Sequence, residues 1–241
     1  MKKIFALIAF SLILGTYAYS QDIRFGFQLS PTFSWMSTNT NKINRSGTNL
    51  GLKLGMQGEY YFRENYAFVS GIGFSFNHGG TLLHEFGGNY WTKSDLDPNL
   101  QELPPDVKLK YGIQYVEIPA ALKMRTREFG YLRYFLEPGI TFGFKTQARG
   151  SIKGTGIGED AEKINIRKEV NGINLSWGLS AGAEYSLSEN TSLVGGLGFQ
   201  IGFTDVTDDN GTVFDTNQNI DREEKSKGTA SAIILRLGVM F

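Results

Sequence analysis

Ser176-Trp177-Gly178-Leu179-Ser180-Ala181-Gly182-Ala183-Glu184-Tyr185 alternates strictly. Trp177, Leu179, Ala181, Ala183 and Tyr185 fall on one side, and Ser176, Gly178, Ser180, Gly182 and Glu184 on the other. Successive strand side chains point to opposite faces, so this stretch predicts a β-strand with one apolar face. The apolar face is aliphatic in the middle and aromatic at both ends. That zoning matches the two interfaces of a bilayer, where aromatic girdles flank an aliphatic band. The opposite face is small and carries one carboxylate.

Seven further segments repeat the pattern. Three precede the middle of the chain: 25–35, with Phe25, Phe27, Leu29 and Phe33 on the apolar face; 50–62, with Leu50 to Phe62; and 66–76, with Tyr66 to Phe76. Residues 111–125 set Val116, Ile118, Ala120 and Leu122 against Glu117, Lys123 and Arg125. Residues 134–144, 193–203 and 233–241 continue the series, the last ending on Phe241. Phe62, Tyr66, Tyr134, Tyr185 and Phe241 fall at one end of their segments, and Trp35, Phe76, Phe144, Trp177 and Phe203 at the other.

The connections alternate too. Tight turns are expected at Arg63-Glu64-Asn65, near 126–130 and at Ser188-Glu189-Asn190. Long polar loops are expected at 37–48, 77–110, 147–171 and 205–228. Short turns at one end and long loops at the other are the pattern of an outer-membrane barrel, with the turns periplasmic. An even strand number brings both termini to the short-turn end.

The facing follows from the small residues. Gly weakens a solvated strand but suits a crowded interior. Glycine, serine and the charges are therefore placed inside, and the apolar faces against lipid. Glu59, Glu117, Glu137 and Glu184 are expected to pair inside with Lys53, Lys123, Arg125, Arg133 and Arg236, because buried charges need partners. A soluble lipocalin-like barrel is the structural alternative and would reverse every face.

Residues 1–20 form a separate object. Lys2 and Lys3 precede an apolar run from Ile4 to Gly15, and Ala18 and Ser20 stand before Gln21 as a small-residue cleavage site. The run is shorter than the roughly 20 residues of a spanning helix. The expected division is therefore a signal peptide, 1–20, and one outer-membrane barrel domain, 21–241. The chain has no Cys, so lipid anchoring at cysteine and disulfides are excluded. It has 24 basic and 24 acidic residues, which gives no support for a nucleic-acid partner. Its 30 Gly and 18 Phe against 6 Pro suit glycine-punctuated strands with aromatic anchors.

The segment Gln114-Tyr115-Val116-Glu117-Ile118-Pro119-Ala120-Ala121-Leu122-Lys123 resembles the Y-x-E-I-P-x-x-x-K strand of the Bacteroidetes outer-membrane β-barrel family that includes PorT-like proteins. Tyr134-Phe135-Leu136-Glu137-Pro138-Gly139 and Gly182-Ala183-Glu184-Tyr185 resemble the strands that follow in that family. Terminal Phe241 resembles the aromatic signal read by the barrel-assembly machinery. The resemblance implies a barrel in the outer membrane and an accessory role in secretion or uptake as one option.

Enzymatic chemistry finds little to stand on. The two histidines, His78 and His84, fall in or beside the second long loop. Ser70 is placed on the same face as His78, but eight residues at about 3.3 Å each separate them by roughly 25 Å. The expectation is no catalytic residue, and a barrel lipid hydrolase or acyltransferase ranks below a binding role. Asp205, Asp208, Asp209, Asp215 and Asp221 crowd the last loop, 205–221, without the regular spacing of a calcium loop. Gly71-x-Gly73 and Gly196-x-Gly198 repeat within strands with no helix following, so no phosphate loop or cofactor is expected. An eight-stranded barrel has an interior just wide enough for side chains to fill. The sequence therefore predicts an all-β, eight-stranded antiparallel transmembrane barrel, closed to flow. Its partners are outer-membrane lipid, the assembly machinery and envelope proteins met through the loops.

Overall fold

A computed structural model describes residues 22–157, 161–208, 210–215 and 220–241. The expected signal peptide, 1–20, lies outside the described residues. Eight antiparallel strands follow one another: β1 (Asp22–Thr38), β2 (Ile43–Arg63), β3 (Tyr66–His84), β4 (Val107–Arg125), β5 (Leu132–Lys153), β6 (Ile173–Ser186), β7 (Ser192–Gly202) and β8 (Gly228–Met240). Each pairs with its neighbours in sequence, and β1 pairs with β8, as at Gly26 opposite Met240 and Thr38 opposite Gly228. The ring is closed, and its order is the one the alternation predicts.

The facing follows the sequence. Leu179 is 43% exposed and Leu197 62% exposed on the outer wall, while Lys123 and Glu184 are 1% exposed within. Phe62, Tyr66, Tyr134 and Tyr185 stand exposed at the short-turn end, and Phe76, Phe144, Trp177 and Phe203 at the other.

The loops depart from expectation. Only residues 39–42 separate β1 from β2, where a long loop at 37–48 was expected. β3 and β5 run to His84 and Lys153, and β4 starts at Val107, well inside the stretches assigned to loops. Backbone hydrogen bonding carries the ladder upward where the side chains have turned polar, since water can take the outer face there. The described parts of the remaining connections are structured. Gly88–Asn89, Thr212–Asp215 and Ile220–Glu223 form a small three-stranded sheet, and Ile164–Asn165 adds to β5.

Two bulges face each other across β4. Ser75 pairs with Tyr115 but His78 with Ile113, so β3 carries one extra residue; Asn77 there has φ of 55°. Gln147 pairs with Gln114 but Lys145 with Tyr115, so Thr146 is extra on β5. One inserted residue reverses the parity of a strand. Above this level His78, Leu82 and His84 of β3 and Ala148 and Ile152 of β5 turn inward and are buried.

Candidate functional site

The interior below the bulges is polar and is cross-linked in layers. Near the short-turn end Lys123 Nζ contacts both the Glu59 and Glu184 carboxylates. Arg24 adds a second cation, 3.1 Å from Glu184 and 3.9 Å from Glu59. Tyr61 donates its hydroxyl to Glu59 at 2.7 Å. In the next layer Arg236 meets Glu137 at 2.8 Å and donates to Gln57 at 3.1 Å. The Phe135 ring packs between the layers, 4.8 Å from Lys123 Nζ and 5.4 Å from the Arg236 guanidinium. Higher still Lys53 donates to both Glu117 oxygens, at 3.0 and 2.7 Å, and to Gln200 at 2.6 Å. Gln200 in turn donates to Ser176.

Four cations thus oppose four carboxylates in the described lumen, and the interior is neutral. Desolvated charges of this kind are tolerable only when paired and hydrogen-bonded. A cavity of about 130 Å³ remains among Lys53, Gln57, Glu117, Glu137, Gln200 and Arg236. Glu137 Oε2 has no protein partner there. The space is large enough for about four waters at roughly 30 Å³ each.

The expected pairing set needs two corrections. Arg125 is not in the lumen network: it stacks 3.8 Å over Tyr61 and donates to the Glu64 carbonyl at 3.0 Å. Arg133 pairs with Glu128 at 2.5 Å in the turn. Both lie at strand ends, where a long side chain turns to the rim. Arg24, on the inward face by alternation, is the partner that the sequence pairing left out.

Above the bulges the interior changes character. Met36, Leu82, Leu109, Tyr111, Ile113 and Ile152 point inward and are buried, continuous with Tyr90, Trp91, Leu100 and Leu103 from the loop 85–106. Trp91 fills the middle, 2% exposed. Its ring lies so close to β5 that a Cβ on Gly150 would stand 2.3 Å from it, so glycine is required there. Trp91 Nε1 donates to the Tyr111 hydroxyl at 3.1 Å, and the two rings meet edge to face. This apolar cap replaces the solvated loop expected at 77–110.

Loop polar groups fasten the cap. Glu169 accepts from the Lys93 amide at 2.5 Å and the Ser94 hydroxyl at 3.0 Å, and burial pushes its carboxyl above the usual range. Lys93 pairs with Asp208. Asp205 Oδ1 accepts from the Thr207 and Gly228 amides at 3.1 and 3.0 Å. Two of the loop's aspartates are therefore engaged in holding the loop; Asp209 and the side chain of Asp215 lie outside the described residues.

Both histidines, expected in or beside the second long loop, belong to β3 and are buried. The bulge at Asn77 turns His78 inward, whereas Ser70 faces out, so the two do not share a face. His78 packs edge-on to Tyr115 at 5.8 Å. His84 packs on Tyr90 at 4.1 Å, and neither of its ring nitrogens has a hydrogen-bond partner. Burial lowers its pKa to about 3, so the ring is neutral.

The solved structure of a major outer membrane protein from Thermus thermophilus is 14% identical over 91% of this chain and 98% of that one, with a TM-score of 0.46. OprG from Pseudomonas aeruginosa is 10% identical over 92% and 97%, with a TM-score of 0.44. Neisserial surface protein A is 11% identical over 90% and 95%, with a TM-score of 0.43. Among curated proteins, none matches the sequence. The profile of the outer membrane protein beta-barrel domain matches residues 19–208, from the end of the apolar N-terminal segment through β7, and the chain belongs to that family.

Proposed function

We propose that this protein is a non-conducting, non-enzymatic barrel that carries a folded cap on the outer face of the outer membrane, where the cap serves as a structural or recognition surface. The observation that carries the reading is the double closure of the lumen. A neutral lattice of paired charges fills the lower part, and a buried apolar core with Trp91 at its centre covers the upper part. On this reading neither layer passes ions. On this reading residues 1–20 are removed on export, the termini lie in the periplasm, and Phe241 is read by the assembly machinery. Phe241 is 54% exposed at the end of β8 and exchanges backbone hydrogen bonds with Phe25 at 2.7 and 3.2 Å.

Planar bilayers test the closure. The purified chain is expected to insert without steady conductance, and reproducible open channels would overturn the reading. Trypsin added to intact cells tests the orientation. Cleavage is expected first after the exposed Lys225; protection there, with cutting only after the envelope is opened, would reverse the sidedness. An accessory role in secretion or uptake, of the PorT-like kind, rests on the strand motifs alone. Its support would be co-purification with envelope components that is lost when the cap loops are exchanged.

A further inference from the structure

The outer wall above the lipid band carries a dense run of cations on one seam. On the seam of β4 and β5 the outward residues climb from Ile118 and Phe142, through Val116 and Phe144, to Arg149 opposite Gly112, Lys110 opposite Ser151, and Lys108 opposite Lys153. Lys163 of the following loop joins them around a groove of about 310 Å³, in which Glu162 is the one carboxylate among the described lining residues. All five cations are exposed, and none is in a salt bridge with a described residue. Elsewhere on this rim the outward side chains include Thr81, Ile173, Phe203 and Thr229; Arg45 lies over the Trp35 ring at 4.5 Å.

Height identifies the occupant. From Tyr134 to Phe144 the outward face of β5 is aromatic and aliphatic. Ten residues at about 3.3 Å, tilted by about 40°, rise roughly 25 Å, the height of a barrel's apolar band. Arg149 then stands about 10 Å above Phe144, since the extra Thr146 adds no step, and Lys153 about 10 Å higher, by the same rise and tilt. Long cationic side chains reach back toward the interface from such positions. A vertical series of unpaired cations directly above lipid-facing aromatics fits a membrane lipid whose large headgroup carries more than one phosphate.

We propose that the β4–β5 seam holds the phosphate groups of a glycolipid of the outer leaflet, with Lys110, Arg149, Lys153 and Lys163 as its contacts and the acyl chains against Phe142 and Phe144. Arg presents a bidentate fork to phosphate and Lys a point charge. The proposal rests on the orientation given above for its choice of leaflet, but not for the binding itself.

The test uses the full mature chain in nanodiscs of zwitterionic lipid, titrated with lipid A, with its dephosphorylated form, and with inorganic phosphate. Lipid A is expected to bind, at least tenfold more weakly when Lys110→Gln, Arg149→Gln and Lys153→Gln are combined, and more weakly as salt is raised. Retained heat-modifiable mobility shows that the variant is folded, and a Lys110→Arg, Lys153→Arg variant is expected to keep the affinity. Equal binding of the dephosphorylated lipid, or no loss in the triple variant, would overturn the proposal. Inorganic phosphate that binds as tightly as lipid A would overturn the lipid source. Nanodiscs expose both ends, so failure here leaves the orientation untouched, and a reversed trypsin pattern on cells leaves the binding untouched.

Discussion

Lys123 is the single side chain on which most of the lower lumen depends. It is 1% exposed and lies between two carboxylates that have the same burial. Removing one partner from a buried ion pair leaves an uncompensated charge, at a cost of about 3–5 kcal/mol. Lys123→Met is therefore expected to lower the unfolding free energy of the protein in vesicles, read from its urea curve, by about that amount. Adding Glu59→Gln alone should recover most of the loss, because the Arg24–Glu184 pair at 3.1 Å is then left balanced. A single variant as stable as the parent would show that Arg24 alone satisfies both acids. His84 makes the opposite kind of statement. Its neutral ring sits against Tyr90 with a pKa of about 3, well below its ordinary value of 6.5. The unfolded cap binds a proton that the folded cap refuses, so His84 costs stability progressively as pH falls from about 6.5 toward 3. Glu169, pushed upward by burial, works in the reverse direction. With Trp35 and Trp177 replaced by Phe, Trp91 fluorescence reports the cap. The cap should unfold at lower urea at pH 4.5 than at pH 7, and His84→Phe should reduce that difference. An unchanged difference in the variant would remove His84 from the account.

The strands and their faces were legible because one rule, alternation, governs the whole membrane-embedded length. That rule stops at the two bulges. Beyond Asn77 and Thr146 the parity flips on β3 and β5 but not on β4. Leu82 then falls out of step with the strand below it, and Leu109 and Ile113 put apolar side chains on the face that holds Glu117 and Lys123 lower down, although all three line one interior. Asn77 carried the only local signal, since Asn tolerates the left-handed region better than most residues; Thr146 carried none. The lumen was half legible for a related reason: alternation gives the side of the wall but not the height. Arg125 and Arg133 were assigned to the correct wall and to the wrong level. At Asn77 the φ of 55° makes a direct test. Asn77→Val puts a β-branched side chain into the left-handed region, at a cost of about 1–3 kcal/mol. The ladder below is independent of the bulge, so heat-modifiable mobility should persist while protease sensitivity rises in 85–106. Loss of the mobility shift would mean that cap and barrel fold as one unit.

At the scale of the molecule, the lumen on the proposed reading is blocked twice, in series, by different physics. The cap excludes water through buried apolar area, and the ion lattice below fills the bore with paired side chains. Barriers in series predict that neither removal alone opens a path. The cap can be removed cleanly, because β3 and β4 still pair where the loop leaves them, at His84 opposite Val107. Replacing residues 86–105 with Asn-Gly closes that hairpin with a favoured two-residue turn and deletes Tyr90, Trp91, Leu100 and Leu103. The lattice can be thinned at its upper layers by changing Lys53, Glu117, Glu137 and Arg236 to Ser in pairs, so that no charge is left alone. In planar bilayers each variant alone is expected to stay silent, and the combination to conduct weakly, because about half of an already narrow bore has been emptied. A silent combination would place the remaining block at the Lys123 layer. Conductance from the cap deletion alone would show instead that the paired charges never sealed the barrel, and the protein would then be a gated pore.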